Sequence, residues 1–463
     1  MADKYDVVVL GSGPGGYVAA IRASQLGHKT AIVEKDALGG VCLNVGCIPS
    51  KALLRNAELA NTLSQRAAEF GFSFDNLKLD YGVAFKRSRQ ATDRQVRGVA
   101  YLMRKNKIDV VEGYGRLAGP NSLKIDLKAG DTAELAFDNL IIATGARPRT
   151  LPGVEFDGQR IISYVEGILA EKPPERVVII GGGVIGVEFA YMWANYGVEI
   201  TILEMLPHLL PAEEPEVSEV IEKAYRKLGV KFQTGTAVKG VAKGDDGVTI
   251  SLEEGDPIQA DQAMLAINFA PNVEDIGLDA AGVALGPRNV IAVDERMRTN
   301  VANIYAIGDV ATELRLAHVA SAMGIVAAEA IAGQPTQTLD YKMMPRCTYC
   351  VPQVASFGYT EAEAKEAGYE LNIGRFPFQP NGKAVGLGEK EGFVKIIADA
   401  RYGEILGAHL VGPDVTELLP ELTLAHMAEL TAEQIARNVH AHPTLSEALM
   451  EAAHGVEGQP IHL

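Results

Sequence analysis

The chain has 463 residues, of which 47% are hydrophobic and 22% are charged, as in a soluble globular protein long enough for two to four domains. Its formal net charge of −16 argues against nucleic-acid binding, because phosphates would be repelled. The chain contains no long apolar run, so no membrane-spanning helix is expected. The first ten residues, MADKYDVVVL, lack the apolar region of a signal peptide, and four cysteines are too few for a secreted disulfide scaffold. We therefore expect a cytoplasmic protein.

A glycine-rich turn follows the first predicted strand. A mainly apolar run from Tyr5 to Leu10 predicts a strand buried on both faces, and it leads into the GxGxxG pattern of Gly11, Gly13 and Gly16. A helix is predicted to end near Gly27, and a second strand to end at Glu34. This order is typical of a dinucleotide-binding unit, in which glycines let the backbone approach a pyrophosphate and the acid accepts hydrogen bonds from ribose hydroxyls.

The pattern occurs a second time. Gly181, Gly183 and Gly186 follow another apolar strand, and Glu204 lies 23 residues after the first glycine, the same spacing as in the first copy. The repeat favours two dinucleotide sites over the alternative of two glycine-rich turns that only pack helix against strand. Glu204 favours NAD over NADP, because a 2′-phosphate there would meet like charge.

Two of the four cysteines lie in the stretch GGVCLNVGCIPSKALL, shortly after Glu34. A disulfide between Cys42 and Cys47 needs Cα atoms about 4.4–6.8 Å apart. Five residues of regular helix advance about 7.5 Å along the axis, so a bridge would require a compact irregular turn, which Gly46 permits. A helix predicted from about Pro49 would place Cys47 near its positive end, which lowers a thiol pKa. On spacing alone, two buried structural cysteines remain an equal alternative.

The rest of the chain indicates further domains. FDNLIIATGARPR predicts a strand that ends at Thr144 and Gly145, and ADQAMLAINFAPN predicts another strand. NIYAIGDV predicts a strand with Asp309 at its carboxyl end. Alternating strands and then helices after about residue 343 indicate an α+β region. We predict an α/β fold with two Rossmann-like dinucleotide-binding domains and a C-terminal α+β domain, and we divide the chain at residues 1–147, 148–272, 273–342 and 343–463.

The C-terminal stretch HAHPTLSEALMEAAHG contains an acid–base candidate. His442 precedes a proline, which favours extended backbone outside the helix. Residues 444–447 form the capping-box pattern S/T-x-x-E, so the spacing alone favours a helix-capping role for Glu447 over a role in orienting His442.

The other two cysteines, Cys347 and Cys350, form a CxxC motif. Together with His440 and His442 they could suggest zinc, but the H-x-H spacing and the absence of a second CxxC from the sequence argue against it. Two cysteines three residues apart on one predicted strand would point to opposite faces. No metal site is predicted.

These motifs together resemble the flavin disulfide reductases of the larger, two-nucleotide type, and among them the dihydrolipoamide dehydrogenases. The resemblance rests on GGVCLNVGCIPSKALL, ATG at 143–145, YAIGDV at 305–310 and HAHPTLSEA, and it covers essentially the whole chain. It implies that residues 1–147 bind FAD, that 148–272 bind NAD, that 273–342 complete the FAD site, and that 343–463 form the interface or dimerisation domain. It also implies a redox disulfide in which Cys42 faces the substrate and Cys47 the flavin. It also implies a His442–Glu447 dyad, which reverses the preference for a cap, and an ion pair of Lys51 and Glu188 near the flavin.

The resemblance further implies a set of cofactor-binding positions: Gly11, Gly13, Gly16, Glu34, Lys51, Gly115, Thr144, Gly145, Asp309, Ala317, His318, Gly181, Gly183, Gly186, Glu204, Val238 and Asn268. Two positions depart from the family pattern. Asn268 stands where a glycine is usual, and Phe269 replaces a frequent basic residue. Asparagine tolerates unusual dihedral angles better than most residues, so these departures affect the expected NAD affinity rather than the chemistry.

The expected function is oxidation of protein-bound dihydrolipoamide, with hydride transfer to NAD⁺. The expected partners are a second copy of the chain, dihydrolipoyl domains and the core subunits of 2-oxo acid dehydrogenase complexes or of glycine cleavage. The alternatives are a related NAD(P)H-dependent disulfide reductase or diaphorase, and, in a different class, a redox-inert nucleotide-binding scaffold. Glu204 argues against the NADP-dependent reductases, and the Cys42–Cys47 pair with His442 argues against the scaffold.

Overall fold

The structure is a computed structural model that describes residues 3–463. The strands are β1 Asp3–Leu10, β2 Thr30–Glu34, β3 Asp109–Gly119, β4 Ser122–Leu127, β5 Thr132–Ile142, β6 Ala146–Pro148, β7 Ile161–Ile162, β8 Arg176–Ile180, β9 Glu199–Leu203, β10 Lys231–Gln233, β11 Val238–Lys243, β12 Val248–Leu252, β13 Ile258–Ala260, β14 Gln262–Leu265, β15 Phe269–Pro271, β16 Ile304–Ala306, β17 Arg346–Thr348, β18 Gln353–Gly358, β19 Leu371–Pro377, β20 Phe393–Asp399 and β21 Ile405–Gly412.

The helices are α1 Pro14–Gln25, α2 Gly40–Val45, α3 Cys47–Gln65, α4 Tyr81–Lys105, α5 Tyr164–Leu169, α6 Val184–Ala194, α7 Pro215–Lys227, α8 Leu278–Ala281, α9 Ala317–Ile331, α10 Glu361–Glu366, α11 Gly382–Leu387, α12 Val415–Met427, α13 Ala432–Arg437 and α14 Glu447–Val456. Short 3-10 turns lie at Pro287–Asn289 and Gly308–Val310. Within residues 3–463, none of the helices is long and apolar enough to cross a membrane.

The chain forms two compact units, each assembled from three separate segments. The first unit comprises residues up to 52, 83–149 and 268–339, and the second comprises 53–82, 150–267 and 340–463.

The first unit contains a parallel sheet in the order β3-β2-β1-β5-β16, and β4 pairs antiparallel with both β3 and β5. The residues Val7–Leu10 are buried on both faces, as the apolar run predicts. In register, Leu10 pairs with both Val33 and Ile142, so three strands end at the same edge of the sheet. Ligands of open α/β sheets bind at this carboxyl edge.

The second unit repeats this construction and adds an antiparallel layer. Its parallel sheet has the order β10-β9-β8-β14-β7, and Ile180 pairs with both Leu203 and Leu265 at the carboxyl edge. A separate antiparallel sheet has the order β17-β18-β21-β20-β19, with α12 and α14 packed on it. The predicted α/β fold, with two Rossmann-like units and a C-terminal α+β region, is confirmed.

The strands of the C-terminal sheet are buried along their whole length rather than on alternate residues. Every residue of β20 and β21 is buried, because elements cover both faces of the sheet. Lys395 in β20 is only 2% exposed, and its Nζ lies 3.3 Å from Glu214, 2.7 Å from Glu216 and 2.9 Å from Glu361. This buried cation ties α7 and α10 to the sheet.

Two local predictions need correction. The stretch ADQAMLAINFAPN is not one strand: β14 ends at Leu265, and β15 begins at Phe269 and pairs antiparallel with β6. The cysteine segment is helical on both sides of Gly46 rather than an irregular turn, with α2 ending at Val45 and α3 beginning at Cys47. The four-domain division of the chain stays a prediction.

Candidate active site

The first glycine-rich turn is shaped by close packing at two of its three glycines. Gly11 has φ +105°, and a Cβ there would lie 2.3 Å from the carbonyl oxygen of Ala143. A Cβ at Gly16 would lie 1.9 Å from the carbonyl oxygen of Gly11. A Cβ at Gly13, by contrast, would have no atom of residues 3–463 within 4 Å apart from those of its chain neighbours. Protein packing therefore requires glycine at the first and third positions, and the second leaves room for a ligand.

The second turn repeats the first. Gly181 has φ +113°, a Cβ at Gly186 would lie 2.0 Å from the Gly181 carbonyl oxygen, and the space beside Gly183 is open with respect to the described part of the chain. In both turns the second glycine is the N-cap of a helix, α1 or α6. Glycine offers no side-chain acceptor, so the first-turn N–H groups can receive an anion. Both turns thus fit a pyrophosphate.

The acids predicted to bind ribose hold the glycine turns in the same way. Glu34 accepts hydrogen bonds from the backbone N–H groups of Ser12 (2.8 Å) and Asp36 (2.8 Å). Glu204 accepts them from Gly182 (2.7 Å) and Leu206 (2.8 Å). Oε2 of Glu34 also accepts from the Ser12 hydroxyl (2.6 Å), so a further lone pair is left for a ligand on Oε1 of Glu34 and on both oxygens of Glu204. The ribose-binding role of both acids stays a prediction.

Cys42 and Cys47 form a disulfide, with their Cα atoms 4.7 Å apart. This separation is possible because Gly46 breaks the helix between them: a Cβ at Gly46 would lie 3.0 Å from the carbonyl oxygen of Val41 and 3.2 Å from the Cα of Cys42. Both cysteines are half-buried. Cys47 is the first residue of the 19-residue helix α3, where the helix dipole stabilises a thiolate.

The disulfide segment is seated directly on the first glycine turn. The N–H of Gly39 donates to the carbonyl oxygen of Ser12 (3.0 Å), and a Cβ at Gly40 would lie 2.7 Å from the Cα of Gly13. From α4, Arg89 donates to the carbonyl oxygen of Asn44 (2.7 Å). The redox pair therefore adjoins the dinucleotide turn of the same unit.

The ATG motif is joined to the segment after β15. Thr144 donates through its hydroxyl to the carbonyl oxygen of Asn272 (2.8 Å), and the Asn272 side chain donates to the carbonyl oxygen of Thr144 (2.9 Å). Gly145 has φ +72°, a conformation that favours glycine. Gly115 lies in β3, where a Cβ would come within 2.7 Å of the Leu10 side chain, so sheet packing alone explains this glycine. Cofactor contact at these positions stays a prediction.

Asp309 follows β16 in the 3-10 turn, at the carboxyl edge of the first sheet. Burial raises the pKa of Asp309, and the positive charge of Arg315 opposes that rise. Ala317 and His318 begin the 15-residue helix α9, whose N-cap Leu316 has no side-chain acceptor. The first-turn N–H groups of α9 can therefore receive a polar ligand group.

The two positions that depart from the family pattern both contact Arg315. The Arg315 guanidinium donates to the side-chain oxygen of Asn268 (3.0 Å) and lies 6.0 Å from the ring centroid of Phe269. Asn268 is outside the left-handed region, so its tolerance of unusual dihedrals is not used. Val238, at the start of β11, pairs with Leu252. The NAD contacts predicted for Asn268 and Val238 stay predictions.

Lys51 lies one turn after Cys47 in α3 and is half-buried. Glu188 lies in α6, is 5% exposed, and accepts a hydrogen bond from the backbone N–H of Tyr349 (2.9 Å). Their predicted ion pair near the flavin stays a prediction.

His442 and Glu447 are brought together in the second unit. His442 lies before α14, outside the helix as predicted, and its Nδ1 is 2.9 Å from Oε1 of Glu447. The other oxygen, Oε2, accepts the backbone N–H of Thr444 (2.8 Å). The capping and orienting roles therefore do not compete, because each uses its own oxygen. Because a carboxylate only accepts, Nδ1 carries the proton and Nε2 is left as the acceptor.

The Glu447 carboxylate remains ionised in this setting. Burial raises its pKa, but the Thr444 N–H and the hydrogen bond and charge of His442 outweigh burial, so the pKa is lowered overall. The N-cap of α14 is Ser446 rather than Thr444, so Glu447 is the first residue of the helix and not the third as a capping box requires; the Thr444 hydroxyl instead donates to the carbonyl oxygen of Ala441 (2.7 Å).

The second cysteine pair does not lie on one strand, contrary to the prediction. Cys347 is in β17, which ends at Thr348, and Cys350 lies beyond it; both are outside any disulfide. Among residues 3–463, no group of three or more histidine, cysteine or acidic side chains could hold a metal ion.

Comparison with known proteins assigns the family. Residues 5–324 match the family described as pyridine nucleotide-disulphide oxidoreductase, and residues 344–453 match its dimerisation domain. The chain belongs to the pyridine nucleotide-disulphide oxidoreductase family. The predicted family and class of enzyme are confirmed, and the redox-inert scaffold is ruled out.

Two bacterial proteins match the chain along 99% or more of its length. Dihydrolipoyl dehydrogenase from Mycobacterium tuberculosis is 54% identical over 462 residues, covering 99% of each chain. Dihydrolipoyl dehydrogenase from Corynebacterium glutamicum is 51% identical over 470 residues, covering 100% of each. Among solved structures, LpdA from Mycobacterium tuberculosis matches with a TM-score of 0.91 and 27% identity, covering 98% of this chain and 99% of that one. The flavoprotein disulfide reductase RclA from Escherichia coli matches with a TM-score of 0.85 and 25% identity, covering 96% and 98%.

Sequence reasoning missed two residues that shape the site. Arg315 contacts Asn268 and Phe269, and its charge lowers the pKa of Asp309 against the effect of burial; its position between Asp309 and α9 was the only sequence signal for this role. Asn381 was also missed, and its side chain donates to the carbonyl oxygen of Thr444 (3.0 Å).

Proposed function

We propose that the chain is an NAD-dependent, FAD-containing dihydrolipoyl dehydrogenase that acts as a homodimer in the cytoplasm. The observation that carries the proposal is the Cys42–Cys47 disulfide, seated on the first glycine turn at the start of α3. It is supported by relatives of that name that are 51–54% identical over the whole chain.

The chemistry begins with proton transfer to His442. With Nδ1–H donated to Glu447, the free Nε2 takes the proton of one dihydrolipoyl thiol. The resulting thiolate attacks the sulfur of Cys42, the Cys42–Cys47 bond breaks, and Cys47 leaves as a thiolate. The second substrate thiol then attacks the substrate sulfur of the mixed disulfide, and its proton passes to the departing sulfur of Cys42. Lipoamide is the oxidised product, and the cysteine pair holds the two electrons.

The cofactors would be held by the two glycine turns. The first turn would hold FAD, which would supply an acceptor for the electron pair of the cysteines, and the second turn would hold NAD⁺, which would supply the final hydride acceptor. The chain contributes the stabilised position of Cys47 at the positive end of α3, and the first-turn N–H groups of α1 and α6 for the two pyrophosphates. Glu204, buried at the edge of the second unit, favours NAD over NADP.

Assembly follows from the dimerisation domain matched at residues 344–453. By analogy with the family, His442 of one subunit serves the cysteine pair of the other, so the dimer is required for turnover. The partners are dihydrolipoyl domains and the core subunits of a 2-oxo acid dehydrogenase complex or of glycine cleavage.

The test is steady-state kinetics on the purified holoenzyme with lipoamide and with glutathione disulfide, each with NADH and with NADPH. The proposal predicts turnover with lipoamide and NADH at least about 100-fold above the other three pairs, since one like charge at Glu204 and a mismatched substrate each reduce kcat/KM. Preference for glutathione disulfide with NADPH would overturn the assignment. Reduction of dyes alone, without lipoamide turnover, would indicate a diaphorase instead.

A further inference from the structure

A second His–Glu pair lies two residues before His442. The His440 side chain is only 3% exposed, whereas that of His442 is 77% exposed. His440 places Nδ1 2.9 Å from the carbonyl oxygen of Asn438 and Nε2 2.9 Å from Oε1 of Glu421 in α12. Both ring nitrogens of His440 are therefore engaged, and neither is left to react with substrate.

The two hydrogen-bond acceptors around His440 can both be satisfied only if the His440–Glu421 pair holds an additional proton. A backbone carbonyl oxygen only accepts a hydrogen bond, and so does an ionised carboxylate. A neutral imidazole has one N–H group and can satisfy only one of the two contacts. The pair satisfies both only when it holds one proton beyond neutral imidazole plus carboxylate, that is, as His440 imidazolium with ionised Glu421 or as its tautomer.

This pair holds the segment that carries His442. The Asn438 carbonyl and the Glu421 carboxylate fix the His440 ring on α12, and the Asn438 side chain also reaches Glu421 (3.4 Å). On the other side of His442, Asn381 donates to the carbonyl oxygen of Thr444 (3.0 Å). The exposed His442 ring is thus carried on a backbone that is anchored at both ends.

We propose that His440 and Glu421 are positioning residues for His442, which hold the His442 backbone in place and set the charge beside the His442–Glu447 dyad. This inference rests on the proposed function. His440 does not touch substrate, because both of its nitrogens face protein acceptors.

The charged groups around the His442–Glu447 dyad show what the His440–Glu421 pair contributes to its electrostatics. Glu447 on α14 faces His442, Glu421 on α12 faces His440, and on α13 Arg437 pairs with Glu433 (2.6 Å). The positive charge of His440 also acts on the Glu447 carboxylate. With its extra proton the His440–Glu421 pair is neutral overall. Replacing His440 by a neutral residue leaves Glu421 as an uncompensated negative charge beside position 440, two residues before His442.

The experiment compares H440Q and E421Q in the holoenzyme, with dihydrolipoamide oxidation measured from about pH 6 to pH 9. In H440Q we expect kcat/KM to fall about 10- to 100-fold, since a misplaced base costs on this order. We also expect the pH at which kcat/KM is half-maximal to rise, because the new negative charge favours protonated His442. In E421Q the His440–Glu421 pair loses its negative charge, so the pH at which kcat/KM is half-maximal should not rise.

The matched control is H462Q. His462 also forms a His–Glu pair, with Glu451 of α14 (2.6 Å). We expect H462Q to keep kcat/KM within about twofold of the parent value and the half-maximal pH unchanged. Reduction of a dye by NADH, which bypasses the dihydrolipoyl step, should stay unchanged in all three variants. Parental kinetics in H440Q, an equal fall in dye reduction, or a fall in activity without the rise in half-maximal pH would each overturn the inference. If the parent enzyme itself fails to oxidise dihydrolipoamide, the proposed function is wrong instead.

Discussion

Replacing Glu447 by glutamine tests the His442–Glu447 dyad with little change of shape. Glu447 uses one oxygen for His442 Nδ1 (2.9 Å) and the other for the Thr444 N–H (2.8 Å). Glutamine has one oxygen and one NH₂ group. The Thr444 N–H can only donate, so the glutamine oxygen must turn towards Thr444, and the NH₂ group then faces His442.

This orientation reverses the tautomer of His442. Facing an NH₂ group, Nδ1 must accept, so Nε2 carries the proton and can no longer receive one from the substrate thiol. A positioned general base contributes roughly 10²- to 10⁴-fold in rate, which corresponds to about 3–5 kcal/mol of activation free energy. We expect E447Q to lose dihydrolipoamide oxidation by a factor in that range.

The stability of E447Q should depend on pH in a defined direction. The pKa of Glu447 is lowered in the folded protein, so its ionised contacts stabilise the fold above the ordinary pKa of 4.5 and are lost as the pH falls through the lowered value. The melting temperature of E447Q should therefore be lower than that of the parent protein at pH 7, and the two melting temperatures should converge at acidic pH.

The assay is anaerobic stopped-flow reduction of the bound flavin by dihydrolipoamide, followed by its absorbance. Reduction of the same variant by NADH is the control, because that direction does not need proton transfer to His442. Parental rates of flavin reduction by dihydrolipoamide in E447Q would refute the reasoning. An equal loss in both directions would show damage to the fold rather than to the dyad.

Two further predictions concern the fold. K395M removes the buried cation among three carboxylates, and Glu214 is then left without another cation in the described residues. We expect the free energy of unfolding to fall by about 3 kcal/mol or more. Thermal denaturation measures this against K365M at the exposed Lys365, whose melting temperature should stay within about 2 °C of the parent value. G324A places a methyl group 2.6 Å from the Gly15 carbonyl oxygen, so it should push α9 from α1 and weaken FAD retention by about tenfold or more, whereas G98A, where the described chain leaves open space, should not.

Features encoded locally were predictable from the sequence. The two glycine turns, their acids and the cysteine pair each lie within about 30 residues, and their geometry follows from glycine conformations and helix ends. The Cys42–Cys47 distance required a break at Gly46, which the structure has. The prediction erred in making the flanking residues irregular, because spacing excludes a continuous helix but does not exclude two helices that meet at a break.

Features that depend on distant residues were not predictable. Lys395 meets Glu214 across 181 positions of the chain, and Arg315 meets Asn268 across 47. Hydrophobic periodicity carries no information on which charges will share a buried site. The capping-box pattern was ambiguous for a different reason: a carboxylate has two oxygens, and only the folded geometry shows that Glu447 divides them between Thr444 and His442.

The central claim is that electrons enter through the Cys42–Cys47 disulfide. It is tested most directly by mixing C47S, with FAD bound, with dihydrolipoamide under anaerobic conditions and following the flavin absorbance. The variant cannot form the disulfide, so the proposal predicts a yellow protein whose flavin stays oxidised, while the parent is reduced within the first turnover. Reduction of the C47S flavin at the parental rate would contradict the account.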